Sequence, residues 1–397
     1  MMHILQEKAE RIYKSLIAES QIAGDKAVII YDLSVLDHRL SLLSENFPVN
    51  THHAIAVKTN SNPLVLRHIA EKGFGLEAAS LEEVKLAVTA GVHTSKIVFD
   101  SPCKTRAEIQ YCHENIPGLL VNANSLEELD RYPKDFNGIL GLRVNPLVKI
   151  DAPEIFDVSS KRSKFGVPIT KRNEIIQAAL TYTNITVLHM HIGSGLMNFS
   201  NNVIAAKRIV EIADEINAER IKAGIGSRIS TIDIGGGINF DINDSSSFSV
   251  CSFVKELQTI PGLFTTYKVV TEYGHFVHKH CAFMVSNVEY VIPGATKEHP
   301  STIFIHVGAD LFLRKVYSNL LIEYPYSVLF QDGNKKENEK LYNVAGPLCF
   351  AGDFLYENIS LSIVSEGDKF FMYNVGANTN SLWSRHCSRV EPEFIVV

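Results

Sequence analysis

The chain has 397 residues, more than one ordinary hydrophobic core accommodates, so two domains are expected. Hydrophobic residues make up 46% and charged residues 21%, as in a soluble globular protein, and the formal net charge of -6 offers no basic footprint for nucleic acid. No apolar run is long enough to span a bilayer, and Cys103, Cys112, Cys251, Cys281, Cys349 and Cys387 are scattered without a Cys-x-x-Cys pair, which predicts reduced thiols, a cytoplasmic protein and no metal framework.

Ile4, Ala9, Ile12, Leu16 and Ile17 fall near helical spacing, with Glu7, Glu10 and Glu19 among them. The chain therefore opens on an amphipathic helix, not a secretory signal, with Gly24 as its stop. Lys26 to Tyr31 reads as a strand entering the first domain, Leu33 to Phe47 as a helix and His52 to Val57 as the next strand. A helix over Pro63 to Lys72 ends at Gly73, and a short strand follows over Gly75 to Ala79. Ser80 with Glu83 three residues on predicts a capping box, and Gly91 closes that helix. Strands over Lys96 to Phe99, Leu119 to Val121, Ile139 to Val144, Thr186 to Ile192, Thr231 to Ile234 and Lys268 to Glu272 follow. Helices over Thr105 to Glu114, Ser125 to Arg131, Ile169 to Thr181, Asn202 to Ala223 and Phe253 to Gln258 separate them. This alternation predicts parallel βαβ units, and the number of strands favours a closed (β/α)8 TIM-like barrel over an open sheet.

After Glu272 the period changes. His278 to Val291, Thr302 to Val307, Tyr326 to Phe330, Asn343 to Ala345, Leu361 to Val364, Lys369 to Val375 and Glu393 to Val397 are short apolar or alternating runs. Gly, Pro, Asn and Asp separate them, which predicts an all-β domain. Asn334 to Lys340, built of Asn, Lys and Glu, is expected to be a solvated loop.

The chemistry concentrates where apolar runs end. Lys58, after Ala54 to Val57, is costly at the end of a buried strand unless paired or neutral, and a desolvated amine there can form a Schiff base with a carbonyl. Gly235, Gly236 and Gly237 either make a tight turn or let backbone N–H groups cradle a phosphate, and at the strand that would be seventh in a barrel the second use is favoured. Glu272 follows Val269-Val270-Thr271, where a buried carboxylate needs a cationic partner. His189 and His280 are expected to be satisfied core histidines.

These residues resemble a known family when taken in order. Ala56-Val57-Lys58-Thr59-Asn60, His189-Met190-His191-Ile192-Gly193-Ser194, Asp233 to Gly237, Glu272-Tyr273-Gly274-His275 and Gly346-Pro347-Leu348-Cys349 resemble the alanine-racemase-like, fold type III pyridoxal-phosphate enzymes. Within that group the chain resembles the ornithine and diaminopimelate decarboxylases. The resemblance implies an N-terminal segment (1–27) packed on the β domain, a cofactor-binding barrel (28–276) and a C-terminal β-sandwich or barrel (277–397). It further implies that Lys58 carries the cofactor, that Glu272 faces its ring nitrogen and that His191 stacks on the ring. Ser194, the three glycines and Gly274 would lie near its phosphate, with Glu77 and Arg143 beside the ring. Cys349 would return a proton to the decarboxylated carbon from the other subunit of a homodimer. Lys164 and Asp353 would pair across that interface.

Three positions depart from the family pattern. His275 replaces an arginine on the phosphate, Asn378 replaces a tyrosine, and Phe350 replaces the acid that binds a distal amine in the ornithine and diaminopimelate enzymes. Arg314, three residues before Tyr317, resembles an arginine that holds a substrate carboxylate. Arg314, Tyr317 and Phe350 together imply an amino-acid substrate with a carboxylate far from the reacting carbon. Such a substrate is diaminopimelate-like, or joined to a citrate-like group as in siderophore biosynthesis. An amino-acid racemase, or a non-catalytic regulatory homologue, is the alternative.

Overall fold

The computed structural model of the chain describes residues 2–23, 26–196, 198–240, 246–296, 299–318, 322–331 and 338–397. The expected helix stop at Gly24 and residues 334–337 of the expected loop lie outside the described residues. In chain order the first elements are α1 (Met2–Ala18), β1 (Ala27–Tyr31), α2 (Leu33–Asn46), β2 (His52–Ala56), α3 (Pro63–Glu71), β3 (Gly75–Ala78), α4 (Leu81–Thr89), β4 (Ile97–Phe99) and α5 (Arg106–Asn115). Then come β5 (Leu120–Ala123), α6 (Leu126–Leu129), β6 (Ile139–Asn145), β7 (Val167–Pro168), α7 (Arg172–Thr181), β8 (Ile185–His189), α8 (Ser200–Lys222), β9 (Thr231–Asp233), α9 (Val250–Gln258), β10 (Lys268–Thr271) and α10 (His275–His278). The remainder is β11 (Ala282–Ile292), β12 (Ser301–Ile305), α11 (Leu313–Val316), β13 (Tyr326–Leu329), β14 (Glu339–Ala345), β15 (Phe354–Ser362), β16 (Lys369–Tyr373) and β17 (Glu393–Val396). By contacts the chain forms two units, residues 37–277 and residues 1–36 with 278–397.

In the first unit β2, β3, β4, β5, β6, β8, β9 and β10 pair in that order, all parallel, and β10 closes on β2 through Val270 opposite His52. This is a closed (β/α)8 barrel, in which β9 is the seventh strand and β10 the eighth. Ala54, Val98, Leu120, Val187 and Val270 pack together inside it, a filled core rather than a pore. Local signals set the helix starts. Asn62 accepts the Leu64 N–H at 3.0 Å ahead of Pro63 and so turns the chain into α3 directly after Lys58. Ser80 caps α4 through Glu83 N, but Glu83 reaches back to the Ala79 N–H at 2.7 Å, one residue before the expected box partner.

The second unit is an all-β sheet in the order β13-β16-β11-β12-β14-β15. The strand expected to enter the barrel belongs here instead. β1 pairs antiparallel with β11, Ile29 opposite Met284, and parallel with β17, Ile29 opposite Phe394. Both faces of β1 are apolar, so its sequence suits either sheet, and the pairing partner is a long-range choice. Ala9, Tyr13 and Leu16 of α1 bury against Val28, Ile30, Phe283, Val285 and Phe371. β11 begins at Ala282, later than the expected His278, because a short helix and a 3-10 turn take up 275–281. β14 begins at Glu339, inside the expected loop.

Candidate active site

Strand ends bring the barrel's polar side chains together. Lys58 lies in the turn Val57–Thr59 that follows β2, Glu77 is in β3, Asp100 follows β4, Arg143 is in β6, and Glu272 follows β10. His189 ends β8 and Asp233 ends β9, with His191 and the glycines just beyond. In a parallel barrel these are the C-terminal strand ends, the face on which such folds build their sites.

Lys58 Nζ pairs with Glu77 Oε2, although about half of the Lys58 side chain, 49%, remains open to solvent. Burial works against the Lys58 charge, but Glu77, Glu272 and Asp100 outweigh it and raise its pKa. Glu77 is pushed up by burial and by the anionic Glu272 and Asp100. Arg143 donates to Asp100 Oδ2 at 3.1 Å and lies over the Phe165 ring at 4.5 Å. His189 Nδ1 lies 3.3 Å from Asp100 Oδ1, and its Nε2 lies 3.4 Å from Glu272 Oε2. Burial opposes the His189 charge, yet Asp100, Glu272 and Asp233 raise its pKa to about 10. Burial raises the Glu272 carboxyl, but His189 reverses this and holds it below the usual range. Burial and the nearby Arg143 cation lower His191 to about 3, which leaves a neutral imidazole. Its Nδ1 accepts the Gly236 N–H at 3.1 Å.

The three glycines are required by space as well as by conformation. Gly235 and Gly237 have φ of 63° and 93°, in the left-handed region. A Cβ on Gly235 would lie 2.5 Å from the Met190 carbonyl oxygen, and one on Gly236 would run into the Glu272 carbonyl. Gly274 is equally tight, with a Cβ placed 2.5 Å from Thr59 Cγ2. Ser194 is exposed, and His275, which opens α10, is half-buried.

The remaining expected site residues belong to the β unit. Cys349 is exposed in the loop 346–353. Asp353 clamps that loop. It is 3% exposed, and its two oxygens accept Ala309 N at 2.6 Å and Leu348 N at 2.9 Å. Backbone groups of its own unit thus occupy the carboxylate expected to reach Lys164 across an interface. Phe350 stacks on Tyr317, ring centroids 5.1 Å apart, and Tyr317 Oη lies 3.1 Å from His386 Nδ1. Arg314 is half-buried on α11, and burial lowers its pKa. Asn378 has φ of 56°, a conformation that asparagine tolerates better than most residues.

Sequence reasoning missed Asp100 and Asp233 and took His189 for an ordinary core histidine. His189 is fully buried, but it is held between two carboxylates. Asp100 and Asp233 each end an apolar strand, the same signal that marks Glu272. His280 is an ordinary partnered histidine, with Nδ1 2.7 Å from Asn374 Oδ1.

These residues fit an aldehyde cofactor with a phosphate. Gly235 to Gly237 leave backbone room that any side chain would fill, Lys58 offers an amine, and Glu272 Oε1 is buried without a hydrogen-bond partner among the described residues. Residues 33–278 match the family profile described as "Pyridoxal-dependent decarboxylase, pyridoxal binding domain". The chain belongs to this family of pyridoxal-phosphate-dependent amino-acid decarboxylases, which are carboxy-lyases. It is 26% identical to the diaminopimelate decarboxylase of Haemophilus influenzae over all of this chain and 94% of that one. It is 28% identical to the enzyme of the same name from Bacteroides thetaiotaomicron over 91% of this chain and 93% of that one. In fold it resembles Helicobacter pylori diaminopimelate decarboxylase complexed with L-lysine, with a TM-score of 0.83 at 22% identity over 97% of this chain and 94% of that one. The arginine decarboxylase of Paramecium bursaria Chlorella virus gives 0.79 at 20% identity over 98% of this chain and all, 100%, of that one. Among the described residues no helix is long and apolar enough to cross a membrane.

Proposed function

We propose that the chain decarboxylates an amino acid that carries a carboxylate at its far end, as diaminopimelate or a citrate-conjugated diamino acid does. The observation that carries this reading is the Phe350–Tyr317 stack, with Arg314 three residues before Tyr317. An aromatic pair cannot bind a distal ammonium as an ion pair, whereas a guanidinium holds a carboxylate through two parallel hydrogen bonds. The curated relatives named diaminopimelate decarboxylase support a substrate of this kind. When bound, the cofactor supplies an electron-withdrawing ring that accepts the electron pair released as the α-carboxylate leaves.

The residues divide that work. Lys58 would supply the amine that holds the cofactor and gives way to the substrate's amine. Gly235 to Gly237, Ser194, Gly274, His275 and Asn378 would hold its phosphate, and Glu77 and Arg143 would serve the ring. Glu272 would offer an anion to the ring nitrogen, and His191, being neutral, would meet the ring without adding charge. Cys349 would return a proton to the carbon that lost its carboxylate. It does so from the second subunit of a homodimer, and all six cysteines stay reduced in the cytoplasm.

Carbon dioxide release should be compared across ornithine, lysine, arginine, meso-diaminopimelate and a citrate-conjugated diamino acid. The expected result is the highest catalytic efficiency on one of the last two, because a site that pairs a polar group discriminates against analogues lacking it. Highest efficiency on ornithine or lysine would refute the distal-carboxylate reading. For the shared site, inactive Lys58→Ala mixed with inactive Cys349→Ala should recover up to about one quarter of wild-type activity on random exchange into dimers. No recovery, with exchange confirmed by mass spectrometry of the mixed species, would mean that each chain builds its own site.

A further inference from the structure

His189 stands between two carboxylates and touches each with a different ring nitrogen. Asp100 Oδ1 is 3.3 Å from Nδ1 and Glu272 Oε2 is 3.4 Å from Nε2, and the side chain is fully buried. A neutral imidazole has one N–H and one acceptor nitrogen, and a carboxylate has no proton to give. Neither contact closes to a hydrogen bond, and both His189 nitrogens and Asp100 Oδ1 are buried without a hydrogen-bond partner among the described residues, so the contacts are ionic ones. A carboxylate at ion-pair distance from each nitrogen of one buried ring favours the imidazolium, the only form with an N–H to offer on both sides.

The surrounding charges agree. Arg143, from β6, holds the other oxygen of Asp100 at 3.1 Å and so fixes the anion behind the ring. Lys58 pairs with Glu77 and leaves Glu272 to His189. Asp233, on β9, is driven up by burial and by Glu272, while His189 and the Gly235 N–H, which its Oδ1 accepts at 2.9 Å, work the other way. His191, whose Nδ1 lies 4.0 Å from Glu272 Oε2, is lowered by burial and by Arg143 and stays neutral. The carboxylates of Glu77, Asp100, Asp233 and Glu272 thus surround Lys58, Arg143 and His189.

We propose that His189 is a positioning residue, gripped by Asp100 on one side and holding Glu272 on the other as the fixed anion of the site. This rests on the reading of Glu272 as the partner of the cofactor's ring nitrogen. A carboxylate so buried would otherwise take up a proton, and a neutral Glu272 could not support a protonated ring. The clamp also fixes which Glu272 oxygen is committed. Oε2 faces His189, and Oε1 has no hydrogen-bond partner among the described residues. Oε1 is therefore the oxygen available to the ring.

The test uses full-length, cofactor-loaded protein with 15N-labelled histidine. The His189 signals, identified by their loss in His189→Gln, are expected to show both ring nitrogens protonated at pH 8. A single protonated nitrogen would overturn the proposal, and this measurement does not depend on any variant's activity. In parallel, His189→Gln should weaken cofactor binding about tenfold, the loss expected when a buried anion loses one cationic neighbour and its pKa rises by about one unit. It should also lower kcat with little change in KM. Asp100→Asn should act in the same direction, and adding it to His189→Gln should cost little more, because the two act through one contact. Additive losses, an unchanged cofactor affinity or a stoichiometric metal ion held by Asp100, His189 and Glu272 would each overturn the clamp. Glu272→Gln separates the two layers of the argument. If that variant binds cofactor normally, the ring-nitrogen reading fails. If it binds weakly while His189→Gln does not, only the clamp fails.

Discussion

Gly236 shows how little freedom a single position in this site has. Its amide donates to His191 Nδ1 at 3.1 Å, and a Cβ there would meet the Glu272 carbonyl oxygen, so one atom would disturb both neighbours. Gly236→Ala is expected to cost about 1–3 kcal/mol, as overpacking of a tight site does. It should also weaken cofactor binding, read by absorbance titration of the purified protein. Gly226→Ala is the control, since no atom lies within 4 Å of its would-be Cβ, and it should melt and bind as wild type does. Normal cofactor binding by Gly236→Ala would show that the cradle is looser than its geometry. At this scale the sequence exposed Lys58, the glycines and Glu272 because each breaks an apolar run. It hid the role of His189, because a buried histidine's task depends on its neighbours. Those neighbours, Asp100 and Glu272, come from strands far away in the chain.

Individual elements were legible where hydrophobic period and caps agreed, as in α3, α4 and α5, and less so where partners are distant. Lys104 is a second residue whose task is visible only in three dimensions. It is fully buried and joins the β4–α5 connection to β5 and α6, donating to Ser101 O at 2.7 Å, Asn122 O at 2.8 Å and Glu128 Oε1 at 2.8 Å. Glu128 also accepts Tyr132 Oη at 2.6 Å and Asn124 N at 3.0 Å, so it is held in place with or without the lysine. Lys104→Met therefore leaves a buried carboxylate without its cation, and a loss of about 3–5 kcal/mol is expected in urea unfolding. Lys104→Met with Glu128→Gln should recover a substantial part, because no uncompensated charge remains. A double variant no more stable than Lys104→Met would locate the loss in the lysine's backbone contacts instead. The β1 strand failed differently: its run Ala27–Tyr31 was recognised as a strand, but nothing local chooses between sheets.

For the molecule as a whole, closure of the barrel buries titratable groups whose proton balance sets how stability varies with pH. His53 is the cleanest of them. It is 7% exposed, its Nδ1 lies 2.8 Å from Thr271 Oγ1, and its ring meets the edge of Phe47 at 5.0 Å. Burial, with a smaller contribution from the neighbouring His52, lowers it from 6.5 to about 3. The unfolded chain therefore binds a proton at His53 below about pH 6.5 that the folded barrel refuses, so this residue's contribution is fully present above that pH and is lost as the pH falls toward 3. Its slope is about 1.4 kcal/mol per pH unit. His52 and His191 act in the same sense, whereas Glu77 and Asp233, raised by burial, act in the opposite sense, so the wild-type curve alone mixes several groups. A difference curve isolates one of them. His53→Gln keeps a group able to meet the Thr271 hydroxyl but cannot take up a proton. Relative to wild type it should gain about 2 kcal/mol between pH 7 and pH 5, whatever it loses at neutral pH. Urea unfolding of both proteins at half-unit intervals measures that difference, and parallel curves would mean that His53 is protonated in the folded barrel.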